Sequence, residues 1–240
     1  MRKHDTVAWR VKMLGVFLPA IIIAYLIGAI PFGPIIARLH GKDLRTIGSG
    51  NTGATNLARA CGREWGYICF GLDVLKGTLP VAGVRIVAAT VLEAESAVPS
   101  PAFLTLWLAV GIAAILGHVF PLYLKFKGGK GVSTSFGVGL GLWPYFTVSA
   151  LVALSVWVVV VLIWRYISLA SICGSITFPA TLAAAIALKP NWELANLWPL
   201  LIAAIAIPIL VIVLHRENIK RLLAGTENKI RSKKNAPPPP

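Results

Sequence analysis

The sequence contains little charge and little cysteine. Only 13% of its 240 residues are Asp, Glu, Lys or Arg, whereas about one quarter of an ordinary soluble domain is charged. With 57% hydrophobic residues and a mean hydropathy of +0.77, this scarcity excludes an ordinary soluble fold and indicates an integral membrane protein. The cysteines Cys61, Cys69 and Cys173 form no C-x-x-C or Cys/His cluster, which excludes a disulfide framework and a zinc site.

Long apolar stretches fill most of the chain. A helix needs about 20 apolar residues to cross a bilayer, so the sequence predicts an all-α fold, a polytopic bundle of about seven transmembrane helices. The fourth and fifth windows are separated only by "LWPYF", where Pro144 favours a turn at the membrane interface. The windows lie at roughly 14–38, 65–91, 102–120, 132–148, 149–164, 169–188 and 197–214.

The two ends of the chain differ from the apolar middle. We predict a basic N-terminal segment at 1–12, one membrane domain at 13–228 and a disordered tail at 229–240, where lysine and proline replace the hydrophobic periodicity. The first apolar run continues into "PFGPIIARL" without a small-residue cleavage site. It is therefore interpreted as a span rather than a signal peptide.

Basic residues are unevenly divided between the two sides of the predicted bundle. The odd-numbered connections and the tail hold 16 Lys and Arg residues, and the opposite side holds 5. This bias predicts that the odd connections and the C-terminus are cytoplasmic. Seven spans then place the basic N-terminus outside, against the local rule. The alternative is a different span count, such as a start that never crosses.

Four polar stretches fall on this same predicted face: "GSGNTGATNLAR", "KFKGGKGVSTS", "RYISLAS" and "HRENIKRLLAGTE". In the first, Ser49, Asn51, Thr55 and Asn56 offer small donors and acceptors on a glycine-kinked backbone. Arg59 offers a bidentate fork for phosphate or carboxylate. A loop that only caps helix ends is the alternative, but the density of polar residues exceeds what one cap needs.

The second polar stretch has the composition of a phosphate cradle. Glycines let backbone N–H groups converge on an anion, a lysine supplies a point charge, and the N-terminus of the following helix adds partial positive charge. The Walker A spacing is absent, and a flexible turn with snorkelling lysines is the alternative. The candidate phosphate-binding residues are Lys127, Gly128, Gly129, Lys130 and Gly131.

Several ionisable side chains lie at or within the predicted spans. His215 closes the last window, with Asn218 on the same helical face, and could move or orient a proton or only complement a helix C-terminus. Asp73 and Lys76 have i, i+3 spacing within the second window and predict an ion pair that supports the site from below, with an ion or proton relay as the alternative. His118 ends the third window and either joins this group or caps that end.

These motifs, together with "DVLKG" and "GHVFPLYLKFKGGKGVST", resemble the bacterial acyl-phosphate:glycerol-3-phosphate acyltransferases, the PlsY family, over about residues 20–230. The resemblance implies an inner-membrane enzyme that transfers a fatty acyl group from acyl phosphate to the 1-hydroxyl of glycerol 3-phosphate, giving lysophosphatidic acid and inorganic phosphate. It implies no metal, no cofactor and no nucleic-acid partner. The implied partners are acyl phosphate, glycerol 3-phosphate, membrane lipids and an upstream enzyme that forms acyl phosphate.

The resemblance also assigns roles to individual positions. No H-x-x-x-x-D pair of the CoA-dependent type is present, since the fifth residues after His118 and His215 are Tyr123 and Lys220. Glu227 is assigned with Asp73, Lys76 and His118 to a supporting group. We expect His215 to orient substrate, with general-base catalysis as the alternative. A transporter and a membrane scaffold are the rival classes, and the crowding of polar motifs at one face favours the enzyme. The implied catalytic positions are Ser49, Arg59, Lys130, Ser171, His215 and Asn218.

Overall fold

The computed structural model describes residues 7–92 and 99–230. Within these ranges the chain forms ten α-helices and one short 3-10 turn at Leu122–Leu124. The helices are α1 Val7–Gly28, α2 Phe32–Leu39, α3 Ala54–Cys61, α4 Arg63–Val91, α5 Pro101–Val119, α6 Val132–Gly141, α7 Thr147–Trp164, α8 Ile167–Leu188, α9 Leu194–Leu214 and α10 Arg216–Leu223.

Six helical segments are long and apolar enough to cross a membrane. A helix forms its backbone hydrogen bonds within itself, whereas the hydrocarbon of a bilayer offers the backbone no hydrogen-bond partners. The predicted all-α bundle is therefore confirmed. The six segments are Val7–Leu39, Arg63–Val91, Pro101–Leu124, Thr147–Trp164, Ile167–Leu188 and Leu194–Leu214.

The fourth predicted window, 132–148, contains a shorter helix than the sequence indicated. Helix α6 has 10 residues and is therefore about 15 Å long, roughly half of a bilayer core. It leaves the end of the bundle that holds Lys130, and α7 returns to that same end at Trp164. The path of the chain through the bundle is thus that of seven passes, one of them short.

The first connection and the two termini also differ in detail from the predicted boundaries. The first window is broken at Pro31, between α1 and α2. Residues 7–12 of the predicted basic segment belong to α1. The "GATNLAR" stretch forms the short helix α3 instead of remaining a loop. Residues 231–240 of the predicted disordered tail lie outside the described residues.

Helix α5 forms the centre of the bundle. The apolar window that contains it is 67% buried, whereas the other five windows are 22–39% buried. Small residues let the backbone of α1 approach it closely, because a Cβ on Gly28 would overlap the Ala114 carbonyl and one on Gly117 would overlap the Tyr25 carbonyl. The Trp107 indole also donates a 2.8 Å hydrogen bond from Nε1 to Val81 O of α4.

Helix α6 is fixed against α4 by a second set of glycines. A Cβ on Gly77 would overlap the Thr134 carbonyl oxygen, and one on Gly137 would overlap the Val74 carbonyl oxygen. The Thr78 hydroxyl donates a 2.9 Å hydrogen bond to Gly137 O across the same contact. This close packing sets the position of the glycine-rich loop, which immediately precedes α6.

Candidate active site

A cavity of about 230 Å³ opens at one end of the bundle. All four polar stretches contribute to it, although they are far apart in the sequence. This arrangement agrees with the predicted placement of those stretches on one face. The polar residues that line the cavity are Ser49, Asn51, Thr55, Asn56, Arg59, His118, Lys130, Ser133, Ser135, Ser168, Ser171, Ser175, His215, Asn218, Arg221, Glu227 and Asn228.

The first polar stretch is organised around Asn56, which is only 1% exposed. Its Nδ2 has two hydrogens and lies 2.9–3.0 Å from three carbonyl oxygens, those of Leu44, Ile47 and Asn51, so two of these carbonyls share one hydrogen. Its Oδ1 accepts a hydrogen bond of 3.1 Å from Ser49 N. The amide is thus fully used in shaping the loop. Asn56 therefore supports the loop, and its predicted role in binding phosphate stays a prediction.

Asn51 and Arg59 lie near Asn56 in the sequence but differ in their contacts. The Asn51 Oδ1 accepts a 2.9 Å hydrogen bond from Gly53 N and closes a local turn before α3. Arg59 lies in the last turn of α3 at the cavity rim, where its guanidinium makes no hydrogen bond or ion pair with the described residues. It is therefore available to an anionic ligand.

The glycine-rich loop differs from the predicted cradle. The N–H groups of Gly128 and Gly129 donate to Val119 O and His118 O, both at 3.1 Å, so they are not directed at the cavity. A Cβ on Gly129 would overlap the His118 imidazole, which explains that glycine by close packing. Lys127, Gly128 and Gly129 are not among the described residues that line the cavity.

The part of this loop that faces the cavity is its end. Lys130 and Gly131 line the cavity, as do Val132 and Ser133 in the first turn of α6. Gly131 adopts a left-handed backbone with φ of 81°, a conformation that glycine accepts readily. The helix N-terminus and the Lys130 ammonium therefore point to the same space, as an anion site requires.

Lys130 is partly buried, and its Nζ donates to the Oδ1 of Asn218 on α10. Burial lowers the pKa of Lys130 to about 8, with Arg221 and Arg59 acting in the same direction and Glu227 opposing them. The ammonium is therefore still charged at neutral pH, but it loses its proton at a lower pH than an exposed lysine.

His215 is held in one tautomer at the end of α9. Its Nδ1 lies 2.7 Å from Val211 O, and because a carbonyl only accepts, Nδ1 carries the proton and Nε2 presents a lone pair. Burial, aided by the Lys130 charge, lowers the pKa of His215 to about 4. The imidazole is thus neutral at pH 7 and is a weak base, which favours accepting a hydrogen bond from a hydroxyl over removing its proton.

The predicted support beneath the site is present as an ion pair. Lys76 Nζ lies 2.8 Å from Asp73 Oδ1 and donates a 3.2 Å hydrogen bond to Ile30 O. His118 Nδ1 lies 3.7 Å from the same Asp73 oxygen. Because His118 also packs against Gly129, these α4 residues position the glycine-rich loop from below.

The inner part of the cavity is apolar. It continues from the polar mouth between α6, α7, α8 and α9, and the rings of Phe146 and Phe178 form an edge-to-face pair within it at 5.1 Å. A polar mouth over an apolar interior fits a ligand with a charged head and a hydrocarbon chain. Other apolar lining residues include Phe136, Ala150, Ala153, Leu154, Ile207, Pro208 and Val211.

Comparison with known proteins identifies the family. The glycerol-3-phosphate acyltransferase family model matches residues 18–225. The chain belongs to this family. Curated glycerol-3-phosphate acyltransferases from Trichlorobacter lovleyi and Aquifex aeolicus are 44% and 43% identical, each over 87% of this chain and over 95% and 96% of their own lengths.

Solved structures agree with this assignment. A crystal structure of PlsY (YgiH), an integral membrane glycerol 3-phosphate acyltransferase in its glycerol 3-phosphate form, has a TM-score of 0.75 at 39% identity, covering 91% of this chain and 97% of that one. The lysophosphatidic acid form has a TM-score of 0.72, covering 90% and 95%. The predicted resemblance to PlsY is thereby confirmed, and a glycerol-3-phosphate acyltransferase replaces the transporter and scaffold alternatives.

In this acyltransferase, the six positions assigned as catalytic all line one cavity. Ser171 is the one whose hydroxyl is engaged within the protein, since it accepts a 3.3 Å hydrogen bond from Trp157 Nε1 and donates one of 2.9 Å to Ile167 O. Ser171 is only 4% exposed, so its hydroxyl is buried in the cavity wall.

Sequence reasoning missed several acyltransferase residues at the cavity. Ser168 donates a 2.9 Å hydrogen bond to Glu227 Oε1, and Arg221 forms a 2.7 Å ion pair with Glu227 Oε2. The spacing of Asn218 and Arg221 by three residues on one helix was a usable signal for a shared face. Trp157 carried no such signal, because an aromatic residue in an apolar window is typical of any span.

Proposed function

We propose that this glycerol-3-phosphate acyltransferase uses acyl phosphate as its donor and releases lysophosphatidic acid and inorganic phosphate. The observation that carries the proposal is the pairing of two cations, Arg59 and Lys130, at the mouth of a cavity whose interior is apolar. Both substrates would carry phosphate, and one also carries a hydrocarbon chain. The mouth offers charge for two phosphates, and the interior offers a dry surface for the chain.

In the proposed reaction, the 1-hydroxyl oxygen of glycerol 3-phosphate attacks the acyl carbonyl carbon. The bond between that carbon and the phosphate oxygen breaks, the phosphate leaves with the electron pair, and the hydroxyl proton is transferred to a phosphate oxygen. An acyl phosphate is a mixed anhydride and already activated, so the protein mainly orients the reactants and stabilises developing negative charge.

The side chains have distinct proposed roles in this step. Lys130, Arg59 and the N-terminus of α6 bind the two phosphates. His215 Nε2 accepts a hydrogen bond from the hydroxyl and aligns it, while Asn218 holds Lys130 in place. The hydroxyls of Ser49 and Ser171 belong to residues that line the same cavity. No covalent acyl-enzyme is required.

We also propose an inner-membrane location, with the cavity and the C-terminus in the cytoplasm. The reason is the excess of Lys and Arg in the connections that contribute to the cavity. A soluble enzyme that forms acyl phosphate would then deliver its product on the same side. The N-terminus would lie outside.

The donor assignment is tested with protein purified in detergent. We expect lysophosphatidic acid when glycerol 3-phosphate is supplied with acyl phosphate, and none when acyl-CoA is the only donor. Product from acyl-CoA alone would overturn the donor assignment.

The role of His215 is tested separately with His215→Ala. An orienting role predicts weaker glycerol 3-phosphate binding together with a slower reaction, measured by calorimetry and by initial rates. Intact binding with a maximal rate reduced by several orders of magnitude would instead favour general-base catalysis.

A further inference from the structure

The segment after α10, residues 224–230, folds back across the polar end of the bundle. Gly225 has a left-handed backbone with φ of 70°, and Thr226 N donates a 2.8 Å hydrogen bond to Arg221 O, which reverses the chain. Ile230 N then donates a 2.8 Å hydrogen bond to Arg165 O, in the turn between α7 and α8. The segment is therefore tied at both ends and carries Glu227 to the cavity.

Glu227 accepts three hydrogen bonds, although it lies beside the cations of an anion site. Its Oε1 accepts from Ser168 Oγ at 2.9 Å and from Asn218 Nδ2 at 2.7 Å, and its Oε2 accepts from Arg221 Nε at 2.7 Å. The side chain is 6% exposed. Burial opposes ionisation, but these three hydrogen bonds hold the pKa of Glu227 below its usual value, so the group is a carboxylate.

The carboxylate determines which end of the Asn218 amide faces Lys130. An ionised Glu can only accept hydrogen bonds, so Asn218 must turn its Nδ2 toward Glu227. The amide oxygen then faces the Lys130 ammonium, which donates to it. With the amide reversed, two donors would face each other at Lys130 and two acceptors at Glu227.

We propose that Glu227 is a positioning residue that acts through Asn218 to hold the Lys130 ammonium in the cavity. The inference rests on the proposed function, in which Lys130 binds substrate phosphate. Glu227 needs no contact with substrate for this role. It fixes a chain of hydrogen bonds from Ser168 through Asn218 to Lys130 that joins α8, α10 and the glycine-rich loop.

Two alternative roles predict opposite changes in the pH at which Lys130 loses its proton: Glu227 positions the ammonium, or residues 224–230 only cover it. The charged and titratable groups around its ammonium are Glu227, Arg221, Arg59 and His215. If Glu227 acts by charge and orientation, neutralising it leaves two nearby cations unopposed and moves the deprotonation of Lys130 to lower pH. If residues 224–230 only cover Lys130, loosening them exposes the amine and moves its deprotonation to higher pH.

The experiment compares Glu227→Gln and Glu227→Ala with the unaltered protein and with Glu217→Ala. Glu217 is the matched control, because it is a carboxylate of α10 that is exposed and paired only with Arg216 and Lys220 among the described residues. Brief labelling with acetic anhydride from about pH 6 to about pH 10, followed by mass spectrometry of the Lys130 peptide, reports deprotonation of that amine. We expect a shift to lower pH in both Glu227 variants and none in Glu217→Ala.

A kinetic cycle tests the route through Asn218. We expect kcat/KM to fall roughly 10- to 100-fold in Glu227→Ala and less in Glu227→Gln, because a Gln oxygen still accepts from Asn218. Combining Glu227→Ala with Asn218→Ala should add little to Asn218→Ala alone, since both changes break one chain of contacts. Thermal unfolding of each variant separates this coupling from a loss of folded protein.

Two results would overturn the proposal: a labelling curve that is unchanged or shifted to higher pH in both Glu227 variants, or losses in kcat/KM that multiply in the double variant. Failure of the proposed function is distinguishable from either one. In that case the unaltered protein makes no lysophosphatidic acid from acyl phosphate, while the labelling of Lys130 still decides how Glu227 acts.

Discussion

Lys130 gives the site its expected pH dependence. Its pKa is lowered to about 8, first by burial, so the ammonium is present below that pH and lost above it. We expect the dissociation constant for glycerol 3-phosphate to rise about tenfold between pH 7 and pH 9, in proportion to the lost ammonium. Calorimetric titration across this range measures it.

Lys130→Arg is the matched variant for this titration, because guanidinium stays protonated throughout the range. The dissociation constant of this variant should be the same at pH 7 and pH 9. A dissociation constant of the unaltered protein that is the same at pH 7 and pH 9 would contradict the assignment of Lys130 to phosphate.

A second prediction concerns Asn56, whose side chain holds the shape of the loop through hydrogen bonds. Asn56→Asp replaces the amide donor by an oxygen that faces three carbonyl acceptors. Leaving buried groups unpaired costs about 1–3 kcal/mol, so we expect a lower free energy of unfolding. Because repulsion between the new carboxylate and the carbonyls would also shift the loop that carries Ser49, kcat/KM should fall. Thermal unfolding in detergent and initial rates measure the two effects.

Asn191→Asp is the control for this change, since Asn191 is exposed in the turn between α8 and α9. We expect it to leave both quantities nearly unchanged. An Asn56→Asp protein as stable as the control would show that the loop does not depend on this amide.

The residues at the site illustrate what local sequence can predict. Arg59, Lys130 and His215 were predicted from residue type and position in the connections, and the structure brings them to one cavity. The partners of Asn56, Gly129 and Glu227 could not be predicted, because they depend on how the chain folds back. Asn56 contacts carbonyl oxygens 5 to 12 residues earlier in its own connection, and Glu227 contacts Ser168 at the start of α8. Spacing along one chain segment carries no information on which carbonyl or imidazole another segment brings opposite.

At the scale of the helices, the contact between α4 and α6 carries the glycine-rich loop. A Cβ at Gly77 would overlap the Thr134 carbonyl oxygen, whereas one at Gly83, also on α4, has open space. We expect Gly77→Ala to lower the free energy of unfolding by about 1–3 kcal/mol through overpacking. Because α6 would shift with its preceding loop, kcat/KM should fall as well.

Gly83→Ala tests whether this effect is specific to the helix contact. It makes the same change in the same helix, where alanine favours helix over glycine, so stability should be unchanged or slightly higher. Thermal unfolding and initial rates of both variants decide between the two sites. Equal effects at Gly77 and Gly83 would show that the close approach to α6 is not the cause.

The short length of α6 marks the limit of prediction for elements. Hydropathy averaged over 132–148 satisfied the criterion for a span, and Pro144 indicated a turn within a nearly continuous apolar stretch. The helix ends at Gly141, directly before the "LWPYF" turn, because Pro144 disfavours helical backbone at the residue before it. An average over a window does not detect such an early end.

For the whole molecule, the number of crossings decides the side on which each terminus lies. The chain leaves the cavity end through α6 and returns through α7, so the short helix acts as a full reversal of direction. Together with the six long segments, this gives an odd number of passes. The two termini should therefore lie on opposite sides of the membrane, despite the basic residues near the N-terminus.

Fusions at the two termini test this topology. A reporter that is active only in the cytoplasm should be active at the C-terminus, near the excess of Lys and Arg, and inactive at the N-terminus. A reporter that requires export should give the reverse. If both termini report the same side, either α6 does not complete a pass or the first segment does not cross. A fusion in the connection between α5 and α6 separates these two explanations, because only the first would place that connection on the side opposite the C-terminus.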